Sequence, residues 1–156
     1  MFGIVTAADY RKKVEADLAD LRNDPADGRA AMTAVVSLYH MHEWLWAKWL
    51  KDKRPVEVDG VVLNSKSDLV QLLDASCPRF RLIQQLANGA KHAFYVDAGG
   101  RIAGYGSGPY GIGPFGRPYL LIDLGKGKGT DRYLNAAVVI MAAGQYMVDL
   151  SKRLGC

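Results

Sequence analysis

At 156 residues, with 49% hydrophobic and 23% charged residues, the chain has the composition of one ordinary globular domain spanning 1–156, long enough to bury roughly 70% of its unfolded surface. The formal net charge of +4 permits a nucleic-acid partner without requiring one, because the basic residues lie in scattered groups such as Arg11-Lys12-Lys13 and Lys152-Arg153. No apolar stretch reaches the ~20 residues of a membrane span, the N-terminus lacks a charged segment followed by an apolar one, and Cys77 and Cys156 alone make no disulfide framework, so a cytoplasmic protein without membrane contact is expected.

Taken in chain order, Thr6 reads as an N-cap with Asp9 three residues on, and Val14, Leu18 and Leu21 follow at helical spacing. A first helix over 7–23 is expected. The segment Asn23-Asp-Pro-Ala-Asp-Gly28 is a loop by composition. A second helix over 29–52 is apolar nearly all round and holds Trp44, Trp46 and Trp49, so it should be central. Residues 56–63 alternate about Asp59-Gly60, a hairpin signal. A short helix over 66–75 follows Ser65, and a third main helix over 78–93 takes Pro78 in its first turn.

The character then changes. A second hairpin is expected over 94–103, then an irregular loop rich in Gly and Pro over 104–117, a strand over 118–123 and a Gly-Lys turn over 125–129. Thr130 or Asp131 should cap a last helix over 131–154. The expected fold is mainly α: a four-helix up-and-down bundle with a small antiparallel β insertion before the last helix.

Two polar clusters carry the chemistry. On the third main helix Arg81, Gln85, Asn88 and His92 fall at i, i+4, i+7 and i+11, a polar stripe beside the apolar one of Ile83, Leu86, Ala87 and Ala90. Arg81 and Lys91 suit phosphate, Asn88 can orient it, and His92 can move a proton near neutral pH. The plainer reading is an amphipathic helix whose polar side faces water. On the second helix His40 and Glu43 are one turn apart, able to pair or to fix helix packing, while His42 points the other way and is expected to be exposed or at an interface. The 125–130 turn does not fit a P-loop, and a solvated turn reads better. Cys77 beside Pro78 is read as either a thiol activated by a helix N-terminus or an inert structural one.

The ending Asn88-Gly-Ala-Lys91-His92, with His40-x-x-Glu43-Trp44 on an earlier helix, resembles the HEPN-type helical proteins and bacterial proteins with an Asn-Gly-x-Lys-His helix ending. The resemblance implies an up-and-down bundle, a homodimer, and in active members a metal-independent ribonuclease of toxin–antitoxin or phage-defence systems. In those an Arg and a His four to six residues apart face the partner's pair. His92 takes the place of that His. Arg81 lies eleven residues upstream, so Asn88 and Lys91 would have to replace the Arg. The expectation is thus a HEPN-like protein that binds or cleaves RNA without metal or cofactor, through His92, Lys91, Asn88 and Arg81 supported by His40, Glu43 and Gln85. The alternative is a non-enzymatic protein-interaction module using the Gly-rich loop and sheet. A metal site at His40, Glu43 and His92 is a third reading.

Overall fold

A computed structural model of the chain describes residues 3–92, 101–102, 109–114, 117–125 and 127–156, without the side chains of 90–92, 101–102 and 130. Helix α1 (Ala7–Asn23) begins where the Thr6 hydroxyl accepts the Asp9 N–H at 3.1 Å and the Asp9 carboxylate accepts the Thr6 N–H at 3.0 Å. This reciprocal pair satisfies two donors that a helix start otherwise leaves open. Asp27 does the same for α2 (Gly28–Leu45), accepting from the N–H groups of Arg29 and Ala30. The helix then widens into a π-turn, Trp46–Leu50. That turn brings the Trp49 indole N–H to the Leu154 carbonyl at 2.7 Å, tying the end of α2 to the end of the chain.

Strands β1 (Val56–Val58) and β2 (Val61–Leu63) form the expected hairpin, with Val56 opposite Leu63. Asp59 (φ 51°) and Gly60 (φ 78°) both lie in the left-handed region, as a tight primed turn requires. Helix α3 (Lys66–Ser76) opens on a second reciprocal cap, Ser65 with Asp68. Helix α4 (Phe80–His92) starts two residues later than the position of Pro78 implies, because Arg79 takes a left-handed φ of 57° between the two helices.

The remaining strands make one antiparallel sheet in the order β3 (Arg101–Ile102), β4 (Tyr119–Asp123), β5 (Tyr133–Asn135). The expected hairpin over 94–103 lies outside the described residues except for β3, which pairs with Tyr119 and Leu120 of β4. Helix α5 (Ala136–Arg153) starts five residues later than expected. Asn135, not Thr130 or Asp131, accepts its first free N–H, from Val138. Tyr133–Asn135 instead pair with β4 as the return strand of a hairpin, braced by a two-bond clamp from the Arg132 guanidinium to Asp123, both bonds 2.8 Å.

The result is a mainly helical protein with α2 in contact with α1, α3, α4 and α5. Leu38, Met41 and Leu45 of α2 are almost wholly buried, against a core that includes Leu21, Ile83 and Met147. The helix is not covered all round, however: Arg29, Met32 and Thr33 face water. Where α5 crosses α1, Gly144 makes room for Leu18, and a Cβ on it would lie 2.6 Å from Leu18 Cδ1.

Leu18 is itself buried and cannot step aside freely. Gly144→Val should therefore lower the unfolding free energy by about 2 kcal/mol or more through overpacking, outweighing a helix-propensity gain of about 0.4 kcal/mol. An unchanged urea midpoint would show that the two helices are not in close contact there.

Candidate functional site

The polar stripe of α4 is as expected for its first three members. Arg81, Gln85 and Asn88 are exposed, while Leu82, Ile83, Leu86 and Ala87 are buried on the other side. The spacing does this: residues three and four apart stack on one face, so one helix keeps an apolar and a polar side. Arg81 is not idle. Its guanidinium pairs with Asp74 of α3 and donates to the Gln84 amide oxygen at 3.3 Å, although 67% of its side chain stays open to water. Gln84 in turn donates to the Tyr39 hydroxyl at 3.2 Å, a polar link between α4 and α2. The backbone of Lys91 and His92 closes α4; their side chains lie outside the described residues, so the geometry does not bear on whether His92 meets His40.

On α2 the structure joins His40 and Glu43, with the ring Nδ1 2.9 Å from Glu43 Oε2. It adds Lys66 from the first turn of α3, whose ammonium donates to Glu43 Oε1 at 2.7 Å. Lys66 and then His40 hold the Glu43 carboxyl down to about 2, so it is ionised at all ordinary pH. His40 and Glu43 are 36% and 44% exposed, which makes this a water-facing cluster able to meet a ligand. Lys66 escaped sequence reasoning because it is 23 residues from Glu43 and nothing in the local pattern links them.

His42 corrects the expectation. It is not exposed or interfacial but 2% accessible, with Nδ1 against the Tyr39 carbonyl and its ring edge-on to Phe80 at 5.9 Å. Helix α4 covers the side of α2 that carries it. Burial pushes its pKa below the usual 6.5 and keeps the ring neutral.

Three minor expectations also resolve. Cys77 is the inert thiol of the two readings: it ends α3 rather than starting α4, is buried, and its pKa is pushed up to about 12 by burial. The turn after β4 is occupied by the protein's own anion, since Asp123 accepts the Gly125 N–H at 2.8 Å as well as Arg132. In the Gly-rich loop, Tyr110 stands 92% exposed. Among the described residues, no helix is long and apolar enough to cross a membrane, and no three of His, Cys, Asp and Glu gather as a metal site would need.

No known protein family, characterised protein or solved structure matches the chain. The site therefore rests on its own geometry.

Two pH windows follow from the shifts. The folded pKa of His42 lies below its unfolded value, so the stability it confers is complete above about pH 6.5 and is lost as the pH falls further. Urea unfolding between about pH 7 and pH 5 should show this loss in the native chain and less of it in His42→Leu. Equal losses in the two would sink the assignment. Glu43 acts lower: its contribution is present above about pH 4.5 and fades toward about pH 2, and Glu43→Gln should flatten that range by less than about 1 kcal/mol, the cluster being exposed.

Proposed function

We propose that the chain is a HEPN-like, RNA-binding protein that meets RNA on the water-facing side of α4. The observation that carries this reading is the exposed run of Arg81, Gln85 and Asn88, continuous in sequence with Lys91 and His92 at the helix end. A guanidinium and two amides in a row match the phosphates and sugar hydroxyls of a single strand, and Lys91 follows Asn88 by three residues in the sequence. Asp74 orients Arg81 without covering it, so a phosphate can take the open side of the guanidinium.

In the active form of this reading, His92 takes the proton of a ribose 2′-OH. The freed oxygen attacks the adjacent phosphorus, the P–O5′ bond breaks, and the 5′-oxygen leaves with a proton taken from solvent water. The up-and-down four-helix bundle and the homodimer of the resemblance belong to the same proposal, with a second copy facing the first across the two His92 residues. So does a role in toxin–antitoxin or phage defence. Tyr110, bare to water within the Gly-rich loop, favours a second reading in which that loop docks a partner protein and no RNA is involved.

Anisotropy of a fluorescein-labelled single-stranded RNA separates the two. At about 50 mM salt the RNA should bind in the micromolar range, and Arg81→Ala and Lys91→Ala should each weaken binding about three- to tenfold and lower the salt slope. No binding at low salt would end the RNA reading in favour of the loop, whose mark would be a partner lost in Tyr110→Ser. Any cleavage should vanish in His92→Ala with binding kept, and cleavage that persists would place the chemistry elsewhere.

A further inference from the structure

We propose that His40 is a phosphorylation site, whose ring Nε2 accepts a phosphoryl group from an activated donor of the phosphoramidate or acyl phosphate class. The inference does not rest on the RNA reading, which the face of α4 carries.

Three contacts prepare the ring. Glu43 is ionised at all ordinary pH, and an ionised carboxylate can only accept hydrogen bonds. The 2.9 Å contact of its Oε2 with His40 Nδ1 therefore puts a proton on Nδ1. In the neutral ring this leaves the lone pair on Nε2. Among the described residues Nε2 has no hydrogen-bond partner, and water reaches it on a side chain that is 36% exposed. The Tyr39 ring stands beside the imidazole, with centroids 5.3 Å apart and planes tilted by 58°, and limits its rotation. A held tautomer with an outward lone pair is the form in which an imidazole acts as a nucleophile.

The third contact supplies a cation. Lys66 reaches the other oxygen of Glu43 at 2.7 Å from the first turn of α3. Its ammonium carries three N–H bonds and gives one to Glu43, so others can take the oxygens of an incoming phosphoryl group. Lys66 also occupies the carboxylate oxygen that a metal ion shared by His40 and Glu43 would need. His42 shows what the cluster adds. Only two residues away, it is 2% accessible and its Nδ1 meets the Tyr39 carbonyl rather than a carboxylate, so its ring is closed to a phosphoryl donor.

With phosphoramidate the step balances without a further reactant. The Nε2 lone pair attacks phosphorus and forms a new N–P bond. The P–N bond of the reagent breaks, and ammonia leaves with that electron pair and the three hydrogens its nitrogen already carried. With an acyl phosphate the P–O bond breaks instead and a carboxylate leaves. Either way the ring gains positive charge while Nδ1–H stays against Glu43, whose carboxylate offsets that charge until the Nδ1 proton passes to solvent. Glu43 is thus a positioning residue for His40.

The test incubates the whole protein with phosphoramidate and follows its intact mass. One phosphoryl group, acid-labile as an N–P bond is, should appear at least about tenfold faster than on Nα-acetylhistidine in the same buffer, and fragmentation should place it on His40. His40→Gln should remove this fast phase. Glu43→Gln should slow it about tenfold, with the 15N shifts of the His40 ring moving away from the Nδ1–H tautomer. Lys66→Ala should slow it about threefold and Lys66→Arg should restore most of the loss. His40 is water-facing, so His40→Gln carries the test even where Glu43→Gln fails to fold. A rate no higher than that of Nα-acetylhistidine, a product on His92 or another side chain, or a fast phase that survives in His40→Gln would overturn the proposal. An unchanged rate and tautomer in a folded Glu43→Gln would overturn it equally.

Discussion

The inner side of α2 constrains everything around it. Leu38, Met41 and Leu45 are almost wholly inaccessible, and burying each is worth about 1.5–3 kcal/mol relative to leaving it in water. No single neighbour can cover that side, so α1, α4 and α5 all pack on it, and α3 touches it as well. The polar residues of α2 are sorted by the same demand. His40 and Glu43 fall on the strip that water reaches, and His42 falls under Phe80. One helix thus holds two histidines in opposite states of solvation, two residues apart. Only the outer one is placed to touch a ligand; the inner one is a packing group whose neutral form is required.

The charged contacts around this core orient side chains more than they stabilise the fold. Glu43 with Lys66 and His40, and Arg153 with Asp59, are exposed pairs, each worth about 1 kcal/mol or less. Their value is geometric. Lys66 ties the first turn of α3 to the outer strip of α2, and Arg153 ties the last turn of α5 to the β1–β2 turn. The Arg132–Asp123 clamp likewise braces a hairpin, where residues that could extend a helix pair with β4 instead.

Which parts of this were legible in the sequence depends on the range of the deciding contact. The starts of α1 and α3 were legible because Thr6 with Asp9, and Ser65 with Asp68, settle them within one turn. The hairpin at Asp59-Gly60 was legible for the same reason. The start of α5 was not, since three capping residues compete there and the pairing of Tyr133–Asn135 with β4 lies outside the local pattern. The position of His42 was not legible either. On a helix apolar nearly all round, the pattern alone does not say which side lacks a neighbour, and α4 supplies that answer from forty residues away. For the candidate site, the stripe of Arg81, Gln85 and Asn88 was readable because α4 is amphipathic by period. The engagement of Arg81 by Asp74, and of Glu43 by Lys66, needed the packing of α3.

The same packing separates two faces of the bundle. Helix α4 presents Arg81, Gln85 and Asn88 to water, whereas the hollows between α1 and α2 are lined by Asp17, Asp20 and Asp27 together with Lys13 and Arg29, beside Met32 and Val36. The faces share α2, which anchors α4 through the Tyr39–Gln84 bond and lines the hollows through Thr33 and Val36. Coupling them would require a shift of α2 along its axis. Such a shift would drag Leu38, Met41 and Leu45 out of their contacts together, at a cost comparable to the whole stability of a domain this size. The Trp49–Leu154 bond holds the far end of the helix in place as well. With its inner side locked in this way, α2 acts as a fixed wall between the two faces rather than as a lever joining them.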